Sequence, residues 1–382
     1  MKRYLLILFL VPTTLGLSAQ KSRVVSAVQM IEQKKYTEAK DAIELAVWND
    51  KTSSWARTYY VRGLLCQTAF EDGFEKREVK KTSLYPDQLY LAYSSYERAL
   101  ELDLRERLHS TISQKYYLLS NDFRLLGQRR FKNEEYEEAF RAFEHAILVN
   151  NSKLIQADID TSLVYNTALA AYESQNWDKA IAYLEGLHDQ GHATATTILL
   201  YNALLESGDT LRAEEVLMEG IEIYEYENQA VMYLVNLYTI SGRDEDALKV
   251  LEKAIKQKPG NYRFLWARGL IQGKINESEK AVESFKAAIE LAPEESKLYY
   301  HIGVIYYNLG INIAEQSLKI SSIDEYLVMK TRAREQYMKA VSWLEKSYEM
   351  DPYDDESISK LYLLYNQLQM EEKEEKLRPL ID

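Results

Sequence analysis

A short pattern of small and bulky residues recurs along the chain, and it constrains the fold more than any other feature. In residues 136–150, Ala139 is followed by Phe143 four positions later and by Ala146 seven positions later. Residues at these spacings lie on one stripe of a helix, so each copy predicts an amphipathic helix packed against a neighbour. The first small residue of each copy is Ala39, Ala92, Ala139, Ala180, Ala213, Ala247, Ala281 or Ala340.

The spacing of these copies indicates pairs of helices. From Ala180 to Ala281 the copies follow one another at 33 or 34 residues, and a small residue such as Gly127 or Gly269 often stands twelve positions before the alanine. A proline twelve positions after the alanine, where it would end the second helix, is found three times: Pro259, Pro293 and Pro352. Each copy therefore predicts a helix, a short turn and a second helix.

A helix–turn–helix unit of 34 residues with this pattern resembles the tetratricopeptide repeat. Residues 262–293 are the most similar, with Gly269 in the first helix and Phe285 in the second, whereas Leu265 and Gln272 depart from the family pattern. The resemblance implies an all-α fold, a right-handed superhelical solenoid in which stacked helix pairs share a continuous core. It covers about eight repeats: 20–53, 56–104 with an insertion, 120–153, 161–193, 194–227, 228–261, 262–295 and 296–352, followed by a capping hairpin at 353–382.

One insertion, at residues 311–337, contains no proline and is rich in helix-forming residues. We expect it to lengthen both helices of its repeat into a projecting hairpin with two helices paired along an apolar seam. The expected seam residues are Ile313, Leu318, Ile323 and Leu327.

The first nineteen residues are typical of a secretory signal. Lys2 and Arg3 precede the apolar run from Tyr4 to Val11, which is too short to span a bilayer. We expect cleavage after Ala19, and the alternative is an uncleaved anchor. Because the sequence resembles exported tetratricopeptide proteins of Gram-negative bacteria, we expect a periplasmic location for the mature chain.

The sequence contains no recognisable catalytic, cofactor or metal motif, so we expect no enzyme activity, no cofactor and no bound metal. The single cysteine, Cys66, is spaced as a core residue. His188 and His192 have ligand-like spacing but no converging partners, and we interpret them as part of a solvated loop. Asp158 and Asp160 lack the rest of a calcium loop and are interpreted as a helix cap. The net charge of −12 opposes nucleic-acid binding.

Protein or peptide binding is the remaining function, and the resemblance implies that it uses a concave groove lined by the first helices. The residues at groove positions that we select as candidates are Arg263, Trp266, Lys297, Tyr300, Tyr307, Met232, Asn236, Asn202, Tyr165 and Tyr172. The pairing of Arg263 and Lys297 with aromatic residues would suit an acidic or C-terminal segment. The alternative is a purely structural role, in which the rings pack between repeats and the cations pair with nearby glutamates.

Some members of the family clamp a carboxylate tail, and Arg124, Gln128 and Asn166 match part of that set. Ala195 and Leu199 do not match it, so we assign no clamp. Two other classes of function stay open: a fixed structural subunit of an envelope assembly or secretion machine, and an enzyme with an unrecognised site.

Overall fold

Helices account for all the regular structure that can be described. The computed structural model describes residues 14–75, 82–155 and 160–381, which contain eighteen α-helices, one short 3-10 helix and no strand. The expected all-α fold is therefore confirmed for these residues. Contacts between Cα atoms divide the chain into two compact units, residues 1–187 and 188–382.

In the first unit, helices that are consecutive in sequence pack against one another, as a stack of helix pairs requires. Helix α1 contacts α2 and α3, α3 contacts α4, and α5 contacts α6. The helices are α1 (Thr14–Glu32), α2 (Tyr36–Val47), α3 (Ala56–Glu75), α4 (Gln88–Leu102), α5 (His109–Lys132), α6 (Tyr136–Asn150), α7 (Thr161–Glu173) and most of α8 (Trp177–Asp189).

The second unit follows the same order of packing. Each first helix contacts its own second helix, and α9, α11 and α13 each also contact the first helix of the next pair. The helices are α9 (Thr194–Ser207), α10 (Thr210–Ile223), α11 (Asn228–Ile240), α12 (Asp244–Gln257), α13 (Tyr262–Lys274), α14 (Ser278–Leu291), α15 (Ser296–Ser317), α16 (Ile323–Met350), α17 (Asp355–Leu368) and α18 (Glu371–Leu377).

The recurring alanines form the core of both units. All eight of the aligned alanines are fully buried, and the bulky residue four positions after each is at most 2% exposed. In the first helices, glycine allows a ring to approach the backbone: a Cβ atom at Gly269 would lie 2.7 Å from the Phe285 ring, and one at Gly127 would lie 2.6 Å from the Phe143 ring. The sequence pattern therefore encodes the contact between the two helices of a pair.

The ends of the helices also follow signals in the sequence. Pro259, Pro293 and Pro352 each stand two residues after the end of a second helix. Asp160 caps α7 by accepting a hydrogen bond from the Ser162 N–H at 2.9 Å, as expected, whereas Asp158 lies outside the described residues. Helix α1 begins at Thr14, so most of the predicted signal segment also lies outside them. Among the described helices, none is long and apolar enough to cross a membrane.

The expected helical insertion is present, but its apolar seam is only partly formed. Helices α15 and α16 have 22 and 28 residues, against 13 and 14 in the pair α13 and α14. Ile313 packs against the core, whereas Leu318 and Ile323 are 78% and 76% exposed and Leu327 is 53% exposed. The seam prediction is wrong for these three residues. Leu318 lies in the turn at 318–322, and Ile323 and Leu327 lie in the first turns of α16, where their side chains stay exposed instead of packing between the two helices.

Candidate functional site

A recess opens between neighbouring first helices in the first unit. It has a volume of about 450 Å³ and lies between α5 and α7, with the Phe143 ring of α6 beside it. Its other lining residues are Gln128, Phe131, Lys132, Asn166 and Leu169. Amide groups and one lysine therefore surround an apolar floor.

An equivalent recess of about 280 Å³ opens in the second unit, between α13 and α15. Phe285 takes the place that Phe143 has in the first unit, four residues after the aligned alanine. The remaining lining residues are Gly269, Leu270, Gly273, Lys274, His301, Val304, Ile305 and Asn308. In both recesses the first helices contribute the ninth and twelfth residues of the repeat, which are groove positions in the family pattern.

His301 forms part of the apolar floor of the second recess. Its ring stacks on Phe285 with centroids 5.4 Å apart, and burial lowers its pKa to about 4. The imidazole is therefore neutral at neutral pH and does not add positive charge to the recess.

The expected basic and aromatic patch does not carry two free cations. The Lys297 ammonium lies 2.6 Å from both Asp354, the N-cap of α17, and Glu356 in the first turn of that helix. Desolvation opposes the charge, but the hydrogen bonds to these two carboxylates outweigh it and raise the pKa of Lys297. Lys297 therefore joins α15 to α17. This agrees with the alternative stated above, in which the cations pair with nearby acidic residues.

Arg263 remains available at the surface of α13. Its guanidinium lies 5.7 Å from the centroid of the Tyr262 ring, and it makes no ion pair within the described ranges. Trp266 stacks on Tyr262 with centroids 6.4 Å apart and is half-buried. The Trp266 indole N–H is buried and has no hydrogen-bond acceptor among the described atoms.

The two tyrosines of the predicted patch are also half-buried. The Lys297 ammonium lies 5.3 Å from the Tyr300 ring, and the Lys360 ammonium lies 4.8 Å from the Tyr307 ring. Tyr307 also contacts the Tyr337 ring at 6.0 Å between centroids. The rings thus serve the packing between helices while keeping part of their surface in solvent.

The other candidate residues lie on first helices of both units. Asn236 on α11 is exposed, and the rest are half-buried. These half-buried residues are Met232, Asn202, Tyr165 and Tyr172. Their role in binding stays a prediction.

The structure corrects the interpretation of the histidine pair. His188 is 1% exposed, and its ring nitrogens lie 2.8 Å from the Thr197 hydroxyl and 3.2 Å from Glu219. Of the two histidines only His192 is exposed, so the interpretation as a solvated loop is wrong for His188. Sequence spacing could not show this, because Thr197 and Glu219 belong to the following helix pair.

Metal ligation and cysteine chemistry are the other functions that side chains could provide. No cluster of three or more potential metal ligands occurs in the described ranges. Cys66 is fully buried as expected, and burial raises the pKa of its thiol to about 12. A thiol in this state is a poor nucleophile at neutral pH.

The sequence reasoning missed several recess residues, including Lys132, Lys274, Ile305 and Asn308. Lys132 lies four residues after Gln128, so it shares that helix face, and the basic last turn of α5 was the available signal. It was missed because it occupies the thirteenth position of the repeat, outside the four groove positions considered.

Comparison with protein families now adds to this geometry. A family model described as a tetratricopeptide repeat matches residues 262–295, and a second one matches residues 124–191. These two segments are therefore similar to tetratricopeptide repeats. They include Phe143 and Phe285, the second-helix rings that lie beside the two recesses.

Two curated relatives share the repeat over part of their length. A TPR repeat-containing protein of Methanocaldococcus jannaschii is 24% identical over 247 residues, covering 59% of this chain and 42% of the relative. An interferon-induced protein with tetratricopeptide repeats from Cricetulus griseus is 26% identical over 136 residues, covering 35% of this chain and 27% of the relative. The matches span less than half the length of each relative.

Solved structures give distant matches. A TPR repeats protein of Bacteroides fragilis is 17% identical, with a TM-score of 0.35, over 65% of this chain and 98% of that one. YrrB, described as a TPR protein with an unusual peptide-binding site, is 16% identical, with a TM-score of 0.37, over 57% of this chain and 96% of that one.

Proposed function

We propose that this protein is a non-catalytic scaffold outside the cytoplasm that binds a protein or peptide segment along its first helices. Proteins built from tetratricopeptide repeats generally act as interaction scaffolds. The observation that carries the proposal is that equivalent repeat positions form a recess in both units, each with a phenylalanine from the second helix beside it.

The chemistry of the first recess favours a segment that ends in, or is rich in, carboxylates. Gln128 and Asn166 supply amide donors, and Lys132 supplies a positive charge at the rim. Phe131 and Leu169 offer apolar contact for a neighbouring side chain of the peptide. Peptide-recognition sites commonly combine a hydrogen bond to a carboxylate with an apolar pocket for a neighbouring side chain.

In the second unit, the proposal relies on Arg263 rather than on Lys297. Lys297 already forms ion pairs with two carboxylates, and a Lys297→Glu substitution would place a third carboxylate beside them and disturb α17. Arg263 is exposed and lies on the same helix as Trp266, whose N–H has no acceptor. Arg263→Glu is therefore the cleaner change for testing this part of the groove.

The experiment is an array of synthetic peptides that represent internal and C-terminal segments of exported proteins, probed with the mature chain. We expect selective capture of carboxylate-rich or C-terminal peptides, reduced about tenfold by Lys132→Glu or Asn166→Ala. Arg105→Glu is the matched control, because Arg105 is exposed and lies outside both recesses. Capture that is equally strong in all variants would contradict a binding site in the first recess.

A further inference from the structure

The long hairpin of the second unit forms a groove that its neighbours do not cover. Helix α17 ends at Leu368 beside Tyr337, whereas α15 and α16 continue past this level to the turn at 318–322. The resulting hairpin groove has a volume of about 660 Å³. It is lined by Ile311, Ala314, Glu315, Ser317, Leu318, Tyr326, Leu327, Lys330, Thr331, Ala333, Arg334, Tyr337, Gln367 and Leu368.

The walls of the hairpin groove expose apolar side chains that nothing in the unit covers. Leu318 is 78% exposed and Leu327 is 53% exposed, and Ile323 lies one turn before Leu327 on α16. Exposure of these apolar groups to water is unfavourable in free energy, and binding of another apolar surface would remove them from water. A contiguous apolar patch with a polar rim is typical of an interaction site.

The charges at the rim indicate which kind of surface fits. Lys330 and Arg334 line the groove and lie three and seven residues after Leu327, on the same helix face. Neither makes an ion pair with a residue in the described part of the chain, although the whole chain carries a net charge of −12. Glu315 is the one carboxylate in the groove lining, so the lining is net positive. Two unpaired cations beside apolar side chains are complementary to a partner that carries carboxylates next to apolar groups.

The shape of the seat favours a helix over an extended segment. Three helices wall the groove, and it begins where α17 ends, so a partner helix could continue the stack over α15 and α16. No strand edge is available in the described ranges for pairing with an extended chain. Packing an amphipathic helix into a helical groove needs apolar residues at spacings of three and four.

We propose that the hairpin groove docks an acidic amphipathic helix of a partner protein. Its apolar face covers Leu318 and Leu327, and its carboxylates pair with Lys330 and Arg334. This site is separate from the first-helix recesses, so it would give the scaffold a second point of attachment.

The test uses the full mature chain and two synthetic helical peptides of about four turns. Both peptides carry leucine at the same spacing of three and four, and one has glutamate where the other has lysine. Fluorescence anisotropy at low salt should show that the glutamate peptide binds at least about tenfold more tightly than the lysine peptide, with an affinity that falls as salt rises.

Substitutions then place the binding at the groove. Leu318→Ser with Leu327→Ser, and separately Lys330→Glu with Arg334→Glu, should each weaken binding of the glutamate peptide about tenfold. Because these side chains are exposed, circular dichroism should show unchanged helix content. Lys132→Glu should leave this binding intact, which separates the hairpin groove from the first recess.

Matched controls use residues of similar exposure outside the groove. Leu104 is 92% exposed, and Leu104→Ser should bind the peptide as the unmodified chain does. Arg105→Glu with Arg107→Glu makes the same change in net charge and should have no effect. Equal binding of both peptides, an equal loss in the controls, or a concentration-dependent dimer abolished by the two serine substitutions would overturn the proposal.

Discussion

At the scale of single residues, close contacts between glycine and a ring hold the helix pairs together. Gly63, Gly127 and Gly269 each leave room for an aromatic ring at a distance that no Cβ could occupy. The nearest atoms to a Cβ built at Gly269 belong to Phe285, four residues after Ala281 in the facing helix. The small residue and the ring therefore act as one unit, although the sequence shows them as two separate positions.

Gly269→Ala should lower the free energy of unfolding by about 1–3 kcal/mol, because the new methyl group overlaps the Phe285 ring. Gly186→Ala is the control: Gly186 is also helical, and a Cβ there meets nothing within 4 Å. That change should be neutral or stabilise by about 0.5–1 kcal/mol. Urea unfolding followed by circular dichroism measures both, and equal effects would contradict the packing role of Gly269.

A buried carboxyl group in α5 makes stability depend on pH. Gln67 Nε2 donates to Asp122 at 2.9 Å, and the Tyr96 hydroxyl donates to Gln67 Oε1 at 2.9 Å. Burial raises the pKa of Asp122 to about 7, against the opposing hydrogen bond from Gln67, and nearby Glu71 raises it further. Burial likewise raises the pKa of Glu71.

The folded state therefore keeps a proton on Asp122 that the unfolded chain loses near pH 4. The contribution of Asp122 to stability is greatest below pH 4 and is lost as pH rises to about 7. Asp122→Asn should remove this dependence and stabilise the protein at pH 8 by about 2–4 kcal/mol relative to the unmodified chain. Denaturant unfolding at pH 5, 6, 7 and 8 checks this.

Asp160→Asn provides a control whose titration lies outside this pH range. Hydrogen bonds from Ser162 lower the pKa of Asp160, so its contribution is present above about pH 4 and is lost only on acidification below it. Asp160→Asn should therefore leave the change in stability between pH 5 and pH 8 as it is in the unmodified chain, and a flattened profile would contradict burial of Asp122 as its cause.

At the scale of elements, the turns inside the helix pairs have one backbone geometry but no common residue type. A left-handed residue occurs at the same place in each of six pairs: Lys34, Glu134, Gln175, Gly208, Gly242 and Asn276. Two of the six are glycine, and the others accept a conformation that L-residues rarely adopt. Packing of the paired helices thus imposes a positive φ angle at this turn residue, although most L-residues prefer a negative one.

The long hairpin is the element whose order can be tested most directly. Trypsin should cut the folded protein at Lys319, in the turn at 318–322, well before it cuts at Lys330 or Arg334 within α16. Proteolysis requires local opening of the backbone, and the hydrogen bonds of a helix oppose this. Mass spectrometry of the fragments over time gives the order of cleavage, and simultaneous cutting at all three sites would indicate a disordered segment.

At the scale of the whole molecule, the proposed location outside the cytoplasm rests on the first nineteen residues, which are typical of a secretory signal. We expect that expression of the complete sequence in a Gram-negative host yields a periplasmic protein whose first residue is Gln20. N-terminal sequencing of the purified protein measures this. The control replaces Lys2 and Arg3 with glutamate and should reduce export. A full-length protein retained in the cytoplasm would contradict the signal prediction.

The sequence by itself determined the helix pairs, since a helix with an apolar stripe of alanine and bulky residues buries that stripe by packing it against the apolar stripe of another helix. It therefore predicted the buried faces, the proline-terminated helices, the cap at Asp160 and the burial of Cys66. The period also selected the ninth and twelfth repeat positions, which contribute Gln128, Phe131, Leu270 and Gly273 to the two recesses, whereas none of the ten candidate groove residues lines either recess.

Only the tertiary structure decided which charged and apolar groups are left without partners. Lys297 meets carboxylates 57 and 59 residues away, and His188 meets Glu219 31 residues away. Leu318 remains exposed because α17 ends before it can cover the hairpin. Helical periodicity specifies the face on which a residue lies, but the length and position of a distant helix decide whether that face is covered.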